Sequence, residues 1–248
     1  MNHRLLLAWA ILGACAVPAF SATKKPQPAK KPAGKATAKP SAPKPEPKPI
    51  PPIAFTPPDL DLAPGETYLA ELSVPSPTGH AFTGKLNYTP GNGLTVKPDA
   101  RWNDKLPPWG VKTYPRITAN SSAVGDIPVE VELEGGGKAT LTVHVMAPTV
   151  ELTPGLGRLT VKVTSPFRTR AFNGKVDLSN PDRFLQDVTS REFKLAPGET
   201  GELVFPLPGA APAESEKYDF TLKLRGYHGY RFQKTYSLSF PPQPQKER

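Results

Sequence analysis

The sequence predicts an all-β protein, with two tandem β-sandwich modules that follow an export signal and a linker. Segments 61–88 and 151–178 share eight identities in 28 gap-free positions, where composition alone gives about two. Short runs of alternating apolar and polar residues, bounded by Pro-Gly turns, occur in both halves of the chain. Because a fixed period indicates one structural unit used twice, we expect modules over residues 53–147 and 148–242, with a polar tail over 243–248.

The first 22 residues have the pattern of a signal peptide. A polar start precedes the apolar run from Leu5 to Val17, and Pro18 and small residues follow as a cleavage region. The run is shorter than the roughly 20 residues that a transmembrane helix needs. Residues 12–15, Leu-Gly-Ala-Cys, resemble the lipobox of bacterial lipoproteins, which implies lipidation of Cys15 as an alternative to ordinary cleavage. Both alternatives predict an exported protein, located in the periplasm, at the cell surface or outside the cell.

Residues 23–52 are predicted to be a disordered, cationic linker. They contain eight Lys, one Glu and ten Pro without apolar periodicity, so they cannot bury enough surface to offset the entropy of ordering. Residues 53–248 contain 22 Lys and Arg against 21 Asp and Glu, so the basic charge of the chain lies mainly in this linker. This distribution and the export signal argue against a nucleic-acid partner.

The first module begins with a turn and ends with a hairpin. Residues 62–67, Leu-Ala-Pro-Gly-Glu-Thr, predict a type II turn with Gly65 at positive φ. Alternation then predicts strands over residues 68–74 and 82–88. A hairpin with a three-Gly turn is expected to pair Val129 with Val143 and Glu134 with Lys138, which places all apolar residues on one face.

The aromatic residues Trp102, Trp109 and Tyr114 lie among prolines in a predicted loop over residues 100–115. Two interpretations stay open. Exposed aromatic rings on a secreted sandwich stack on sugars, and buried ones cap the open end of the core.

The second module repeats the strand pattern. We expect seven strands and a β-bulge at Lys234, which interrupts the apolar phase of the last strand. The predicted strands are Thr149–Leu152, Leu159–Thr164, Phe172–Leu178, Phe184–Val188, Gly201–Pro206, Tyr218–Arg225 and Tyr230–Phe240. A second copy of the Leu-Ala-Pro-Gly-Glu-Thr turn occupies residues 195–200.

Four arginines of the second module are a candidate basic patch for an anionic polymer: Arg168, Arg170, Arg225 and Arg231. A solvated hairpin tip around residues 225–231 is the alternative interpretation. The sequence contains no nucleophile elbow, phosphate loop or dinucleotide motif. His80, His144 and His228 have no zinc spacing, and the only cysteine is Cys15. No catalytic residue, metal site or cofactor is therefore predicted.

Units of about 90 residues with short strands, Pro-Gly turns and a closing hairpin predict immunoglobulin-like sandwiches. The run Phe-x-Leu-Ala-Pro-Gly-Glu-Thr-x-x-Leu-x-Phe at residues 193–205 resembles the fibronectin-III/Ig-like modules associated with alpha-galactosidases and other bacterial exported proteins. The cell-adhesion-related bacterial Ig-like domains are similar too. The resemblance implies fold and exported context, and no catalytic residues.

Three functional hypotheses follow. The first is a non-enzymatic spacer or binding protein of the cell envelope, whose partner is an anionic wall polymer, a polysaccharide or another envelope protein, and the membrane only if Cys15 is lipidated. The second is a carbohydrate-binding module that uses the Trp/Pro loop. The third is an envelope enzyme with a site at the module junction near Ala147 and Pro148.

Overall fold

The computed structural model describes residues 50–180, 189–207 and 217–240, and every regular element in these ranges is a β-strand. The all-β prediction is confirmed. The described ranges hold no helix that is long and apolar enough to cross a membrane. Five predicted features lie outside the described residues: the signal peptide, Cys15, most of the linker, the strand Phe184–Val188 and the tail 243–248.

The first module is a sandwich built from twelve described strands. These are β1 (Ala54–Thr56), β2 (Asp59–Leu62), β3 (Thr67–Leu69), β4 (Glu71–Val74), β5 (Phe82–Thr83), β6 (Leu86–Pro90), β7 (Leu94–Lys97), β8 (Lys105–Leu106), β9 (Val111–Thr113), β10 (Arg116–Ala119), β11 (Gly125–Leu133) and β12 (Lys138–Val145). A four-stranded sheet of order β2-β12-β11-β6 shares one core with the sheets β1-β4-β9 and β3-β10-β7. Strand β2 runs parallel to β12, and the other pairs are antiparallel.

Two predicted strands of the first module are divided. The strand expected over residues 82–88 forms β5, which pairs with β8, and β6, which pairs with β11. The alternation from Tyr68 to Val74 does direct Ala70, Leu72 and Val74 inward. That strand nevertheless breaks at Ala70, because β3 pairs with β10 whereas β4 pairs with β1 and β9. On the facing side Pro115 separates β9 from β10, since proline has no N–H to continue a ladder, and its carbonyl accepts the Ala70 amide at 3.0 Å.

The predicted register of the β11–β12 hairpin is wrong by two residues. Val129 pairs with Leu141 and not Val143, and Glu132 rather than Glu134 pairs with Lys138. The turn begins one residue earlier than expected, because the Leu133 amide donates to the Gly137 carbonyl at 3.0 Å. A shift of two keeps every side chain on its predicted face, since the side-chain period of a strand is two.

The second module has the two-sheet arrangement of immunoglobulin-like domains. Its described strands are β13 (Thr149–Gly155), β14 (Arg158–Thr164), β15 (Phe172–Ser179), β16 (Thr189–Leu195), β17 (Thr200–Pro206), β18 (Tyr218–Gly226) and β19 (Arg231–Leu238). Three strands form the sheet β13-β14-β17, and four form the sheet β16-β15-β18-β19. Their inward residues share one core that includes Phe172, Phe205 and Phe220.

Two predictions for the second module are corrected. Strand β16 was not expected, because its first residues are polar and it lies at a sheet edge, where one side of the ladder stays unpaired. The register of β18 with β19 is continuous, so Lys234 is not a bulge. It lies opposite Leu222, and its ammonium lies over the Tyr236 ring at 4.9 Å.

The sequence repeat has a structural counterpart in two buried glycines. A Cβ on Gly84 would fall 2.7 Å from the Glu134 carbonyl, and one on Gly174 would fall 2.6 Å from the Arg225 carbonyl. In each module the glycine therefore allows its strand to approach the closing hairpin closely. The boundary between the modules at residues 147 and 148 stays a prediction.

Candidate functional site

Asp99 organises the Trp/Pro loop, residues 100–115, which contains the short strands β8 and β9 and is therefore not the continuous loop that was predicted. Its carboxylate accepts the amides of Arg101 and Tyr114, each at 3.0 Å, and the Arg101 guanidinium at 3.0 Å. The hydrogen bonds from Arg101 hold the pKa of Asp99 well below its usual range. Both ends of the loop are thereby attached to one ionised side chain.

The three aromatic residues of this loop lie in different environments. Trp102 packs against the first core, and its indole N–H donates to the Asp104 carboxylate at 2.8 Å. Tyr114 is half-buried, with the Arg101 guanidinium 5.6 Å from its ring centroid. Trp109 is 84% exposed. Each ring borders a different groove, so the described residues do not bring the three together into one platform.

Trp109 projects from a tight turn. The Gly110 amide donates to the Pro107 carbonyl at 3.0 Å, which places Trp109 at the third position of a β-turn. Gly110 has φ of 77° and lies against β4, since a Cβ there would fall 2.6 Å from the Val74 carbonyl. Trp109 borders a groove of about 400 Å³ whose lining includes Pro51 and Pro52.

Asp61 connects the two modules. Its side chain on β2 is 1% exposed. One carboxylate oxygen accepts the Arg168 amide at 2.7 Å, the Thr169 amide at 2.8 Å and the Thr169 hydroxyl at 2.8 Å. The Asp61 carbonyl accepts the Arg170 Nε at 2.8 Å. Three consecutive residues of the second module therefore bind one residue of the first.

Glu66 is the second buried acid of this junction, and it is also 1% exposed. It pairs with the Arg170 guanidinium and accepts the Ala63 amide at 2.9 Å. The Arg170 guanidinium also lies 3.6 Å from the centroid of the Phe167 ring. Arg170 and the Ala63 amide both bind Oε2 of Glu66, whereas Oε1 is buried without a hydrogen-bond partner among the described residues.

The turn that carries Glu66 occurs twice in different surroundings. The Glu66 amide donates to Ala63 at 3.0 Å and the Glu199 amide to Ala196 at 3.1 Å, and both turns have glycine at positive φ, as predicted. In both copies the glutamate carboxylate also accepts the alanine amide. Glu199 is exposed, whereas Glu66 is buried at the junction.

The hairpin tip at residues 226–230 contacts the first module. The Thr67 amide donates to the His228 carbonyl at 2.9 Å, and the Tyr68 and His228 rings lie 5.6 Å apart. A Cβ on Gly229 would fall 3.1 Å from the Gly65 carbonyl. Tyr230 is buried, and burial together with the charge of Glu66 raises its pKa to about 12.

The four arginines of the predicted basic patch have different roles. Arg168 contributes its amide to Asp61, and Arg170 is largely buried in its pair with Glu66. Arg225 and Arg231 are exposed and lie directly opposite each other on β18 and β19. The structure therefore divides the four between the junction and the outer face of the second module.

The histidines do not form a metal site in the described ranges, where no cluster of three or more His, Cys, Asp and Glu side chains is suited to hold an ion. His144 lies on β12, and its Nδ1 is 2.6 Å from the Asp126 carboxylate. The hydrogen bond with His144 lowers the pKa of Asp126. Near the module junction, where the third hypothesis places an active site, Pro148 is buried and Ala147 is exposed.

Comparisons with known proteins give the following. No protein-family model matches the chain, and no curated protein matches it. Among solved structures, CBD12 from CALX1.2 is similar at 11% identity over 70% of this chain and 81% of that chain, with a TM-score of 0.29. The Yersinia pseudotuberculosis adhesin InvE is similar at 12% identity over 75% of this chain and 57% of that chain, with a TM-score of 0.29. Domains FN1-FN3 of chicken CNTN1 are similar at 10% identity over 74% of this chain and 69% of that chain, with a TM-score of 0.28. At these scores no function is transferred.

The buried acids Asp61 and Glu66 are the residues that sequence reasoning missed. Glu66 was identified only as part of a turn motif, and Asp61 only as a member of the repeat. The local pattern gave no signal of burial, since Asp61 lies between Leu60 and Leu62, an alternation that places the acid on the outer face of a strand. The sequence also did not show that these acids bind residues 168–170, which lie more than 100 positions away.

Proposed function

We propose that this chain is a non-enzymatic exported protein whose two modules act as one stiff spacer, with a binding role at the cell envelope. The observation that carries the proposal is the junction, where Asp61 and Glu66 are buried against residues 168–170 of the second module. The finer assignment to bacterial exported fibronectin-III/Ig-like modules rests on the motif at residues 193–205 and belongs to this proposal.

The junction supports stiffness because its bonds are directional and buried. A small rotation of one module would withdraw the amides of residues 168 and 169 from Asp61 and the guanidinium of Arg170 from Glu66. Removing the partner of a buried charge costs about 3–5 kcal/mol. The modules are therefore held in one arrangement rather than in a range of orientations.

The test is the rotational diffusion of each module, measured by ¹⁵N relaxation on the protein without its first 22 residues. We expect both modules to report one common correlation time. Asp61→Ala should give two shorter times, one for each module. Asp59→Ala is the matched control, because Asp59 lies on the same strand with a side chain that is 54% exposed. Independent tumbling of the unaltered modules would overturn the proposal.

Export is tested by mass spectrometry of the mature N-terminus. A start near Ala22 or Thr23 agrees with a free exported protein, and a diacylated Cys15 agrees with a lipoprotein. An uncleaved N-terminus in cells of the natural source would contradict export through this signal.

A second candidate function is favoured by one observation, the 84% exposure of Trp109 beside a groove lined by prolines. An exposed indole is a surface on which a neutral sugar ring stacks. In a pull-down on insoluble polysaccharides, Trp109→Ala should abolish retention. Tyr227→Ala is the control, because Tyr227 is an aromatic residue of the second module that is 62% exposed. Equal retention of the two variants and the unaltered protein would exclude this candidate.

A further inference from the structure

The outer face of the sheet β16-β15-β18-β19 carries a row of three cations. Lys175 on β15 lies directly opposite Arg225 on β18, and Arg225 lies directly opposite Arg231 on β19. In the next row Asp177 lies opposite Lys223. Opposed residues of neighbouring strands project from the same face, so these side chains form one surface. We call these five residues the cationic face.

The cationic face is only partly neutralised by the protein itself. Asp177 pairs with Arg225 and accepts the Ser190 hydroxyl at 2.7 Å. Lys175, Lys223 and Arg231 have no ion-pair partner within 4 Å among the described residues, although Glu192 on β16 lies directly opposite Lys175 in the same row. Like charges directly opposite each other on neighbouring strands are destabilising. A ligand that supplied negative charge would relieve this repulsion.

The cationic face is also concave. A groove of about 420 Å³ lies beside Lys223, Arg225 and Arg231. Ser179 and Gln233 line it together with Asp177 and provide neutral donors and acceptors. The groove therefore combines cations for acidic groups with polar side chains suited to hydroxyl groups.

We propose that the cationic face binds an acidic polysaccharide, a linear glycan with carboxylate groups that lies across β15, β18 and β19. The Arg231 guanidinium presents a planar fork that binds a carboxylate through two parallel hydrogen bonds, whereas Arg225 is already paired with Asp177. The row repeats at the spacing between strands, about 4.8 Å, so a chain that crosses the strands meets successive cations. The Asp177 carboxylate accepts hydrogen bonds from the sugar hydroxyls, and Ser179 and Gln233 both accept and donate.

The composition of the groove favours a polysaccharide over a single-stranded nucleic acid. Nucleic-acid grooves combine cations with aromatic rings on which the bases stack. Among the residues that line this groove the aromatic one is Phe232, which is half-buried and lies opposite the buried Leu224.

This inference rests on the binding role in the proposed function and leaves the junction untouched. The experiment measures the affinity of the chain without its first 22 residues for polygalacturonate by biolayer interferometry at physiological salt. The test variant is Lys175→Gln/Arg231→Gln. The control is Arg158→Gln/Lys162→Gln, which removes two exposed cations of β14 in the other sheet. All variants keep the same cationic linker, so its own attraction for polyanions cancels in the comparison.

We expect the test variant to bind at least tenfold more weakly than the unaltered chain and the control to stay within about twofold. The Tm of the test variant should stay close to that of the unaltered chain, because the lost repulsion with Arg225 is offset by the lost attraction between Lys175 and Glu192. Absence of binding by the unaltered chain would overturn the inference. An equal loss in test and control, or tighter binding of single-stranded DNA than of polygalacturonate, would overturn it too. None of these outcomes bears on the ¹⁵N relaxation of the junction, so failure of this site and failure of the spacer are distinguishable.

Discussion

The substitution Glu66→Gln isolates the charge of the junction. Glutamine keeps a carbonyl that accepts the Ala63 amide, which Glu66 binds at 2.9 Å, but it removes the negative charge opposite Arg170. Glu66 is 1% exposed and the side chain of Arg170 is 15% exposed, so the guanidinium would keep little water around it. Loss of one partner of a buried pair costs about 3–5 kcal/mol. Because the hydrogen bond from the Ala63 amide is kept, we expect a loss at the lower end of this range, about 3 kcal/mol of unfolding free energy.

The matched control is Glu199→Gln in the second copy of the same turn. The Ala196 amide binds Glu199 at 2.6 Å, but Glu199 is exposed. Surface substitutions of this kind change stability by less than about 0.5 kcal/mol. The assay is urea denaturation followed by circular dichroism and tryptophan fluorescence. If Glu66→Gln and Glu199→Gln shift the midpoint equally, the ion pair does not hold the junction.

A double-mutant cycle completes this test. Arg170→Met removes the guanidinium and keeps a long apolar side chain against Phe167. Groups that contact each other show coupling energies of about 0.5–3 kcal/mol, whereas independent sites add. We expect Glu66→Gln/Arg170→Met to be less destabilised than the sum of the two single variants. Strict additivity would contradict the pairing.

Three further predictions follow from the described contacts. Gly174→Ala would place a Cβ 2.6 Å from the Arg225 carbonyl, and we expect a loss of about 3 kcal/mol in urea denaturation; a neutral result would refute the close approach of these strands. The pKa of Tyr230 is raised to about 12, so the fold favours its neutral form, and the stability this provides is complete below about pH 10 and is lost as the pH rises through 12. Tyr230→Phe should therefore lose less stability between pH 10 and pH 12 than the unaltered protein, and an unchanged loss would argue against its burial. In the chain without its first 22 residues, Trp109→Phe should remove the fluorescence that acrylamide quenches and leave the blue-shifted emission of Trp102. Equal quenching with and without the substitution would contradict the exposure of Trp109.

Local signals in the sequence predicted most of the fold. Alternation placed Val129 and Leu141 on the inner face of the first hairpin, and Pro-Gly pairs identified both turns with Gly65 and Gly198 at positive φ. These features depend on residues that are neighbours in the sequence. The two-residue error in the hairpin register has the same origin, because a shift of two leaves the pattern of inner and outer residues unchanged.

The sequence could not show contacts that depend on tertiary placement. Asp61 and Arg170 are more than 100 positions apart, and each was consistent with an exposed location on its own strand or loop. Strand β16 was missed because an edge strand with polar residues has no clear alternation. The aromatic loop illustrates the same limit, since Trp102 and Trp109 differ by seven positions but one packs on the core and the other faces solvent.

The central claim is that the buried acids hold the two modules in one arrangement. The most direct measurement is the distance distribution between spin labels at Thr95→Cys in the first module and Glu151→Cys in the second, both exposed positions, in a chain with Cys15→Ser. We predict one narrow distribution for this chain, and a broad one once Asp61→Ala is added. A broad distribution with the junction intact would contradict the account.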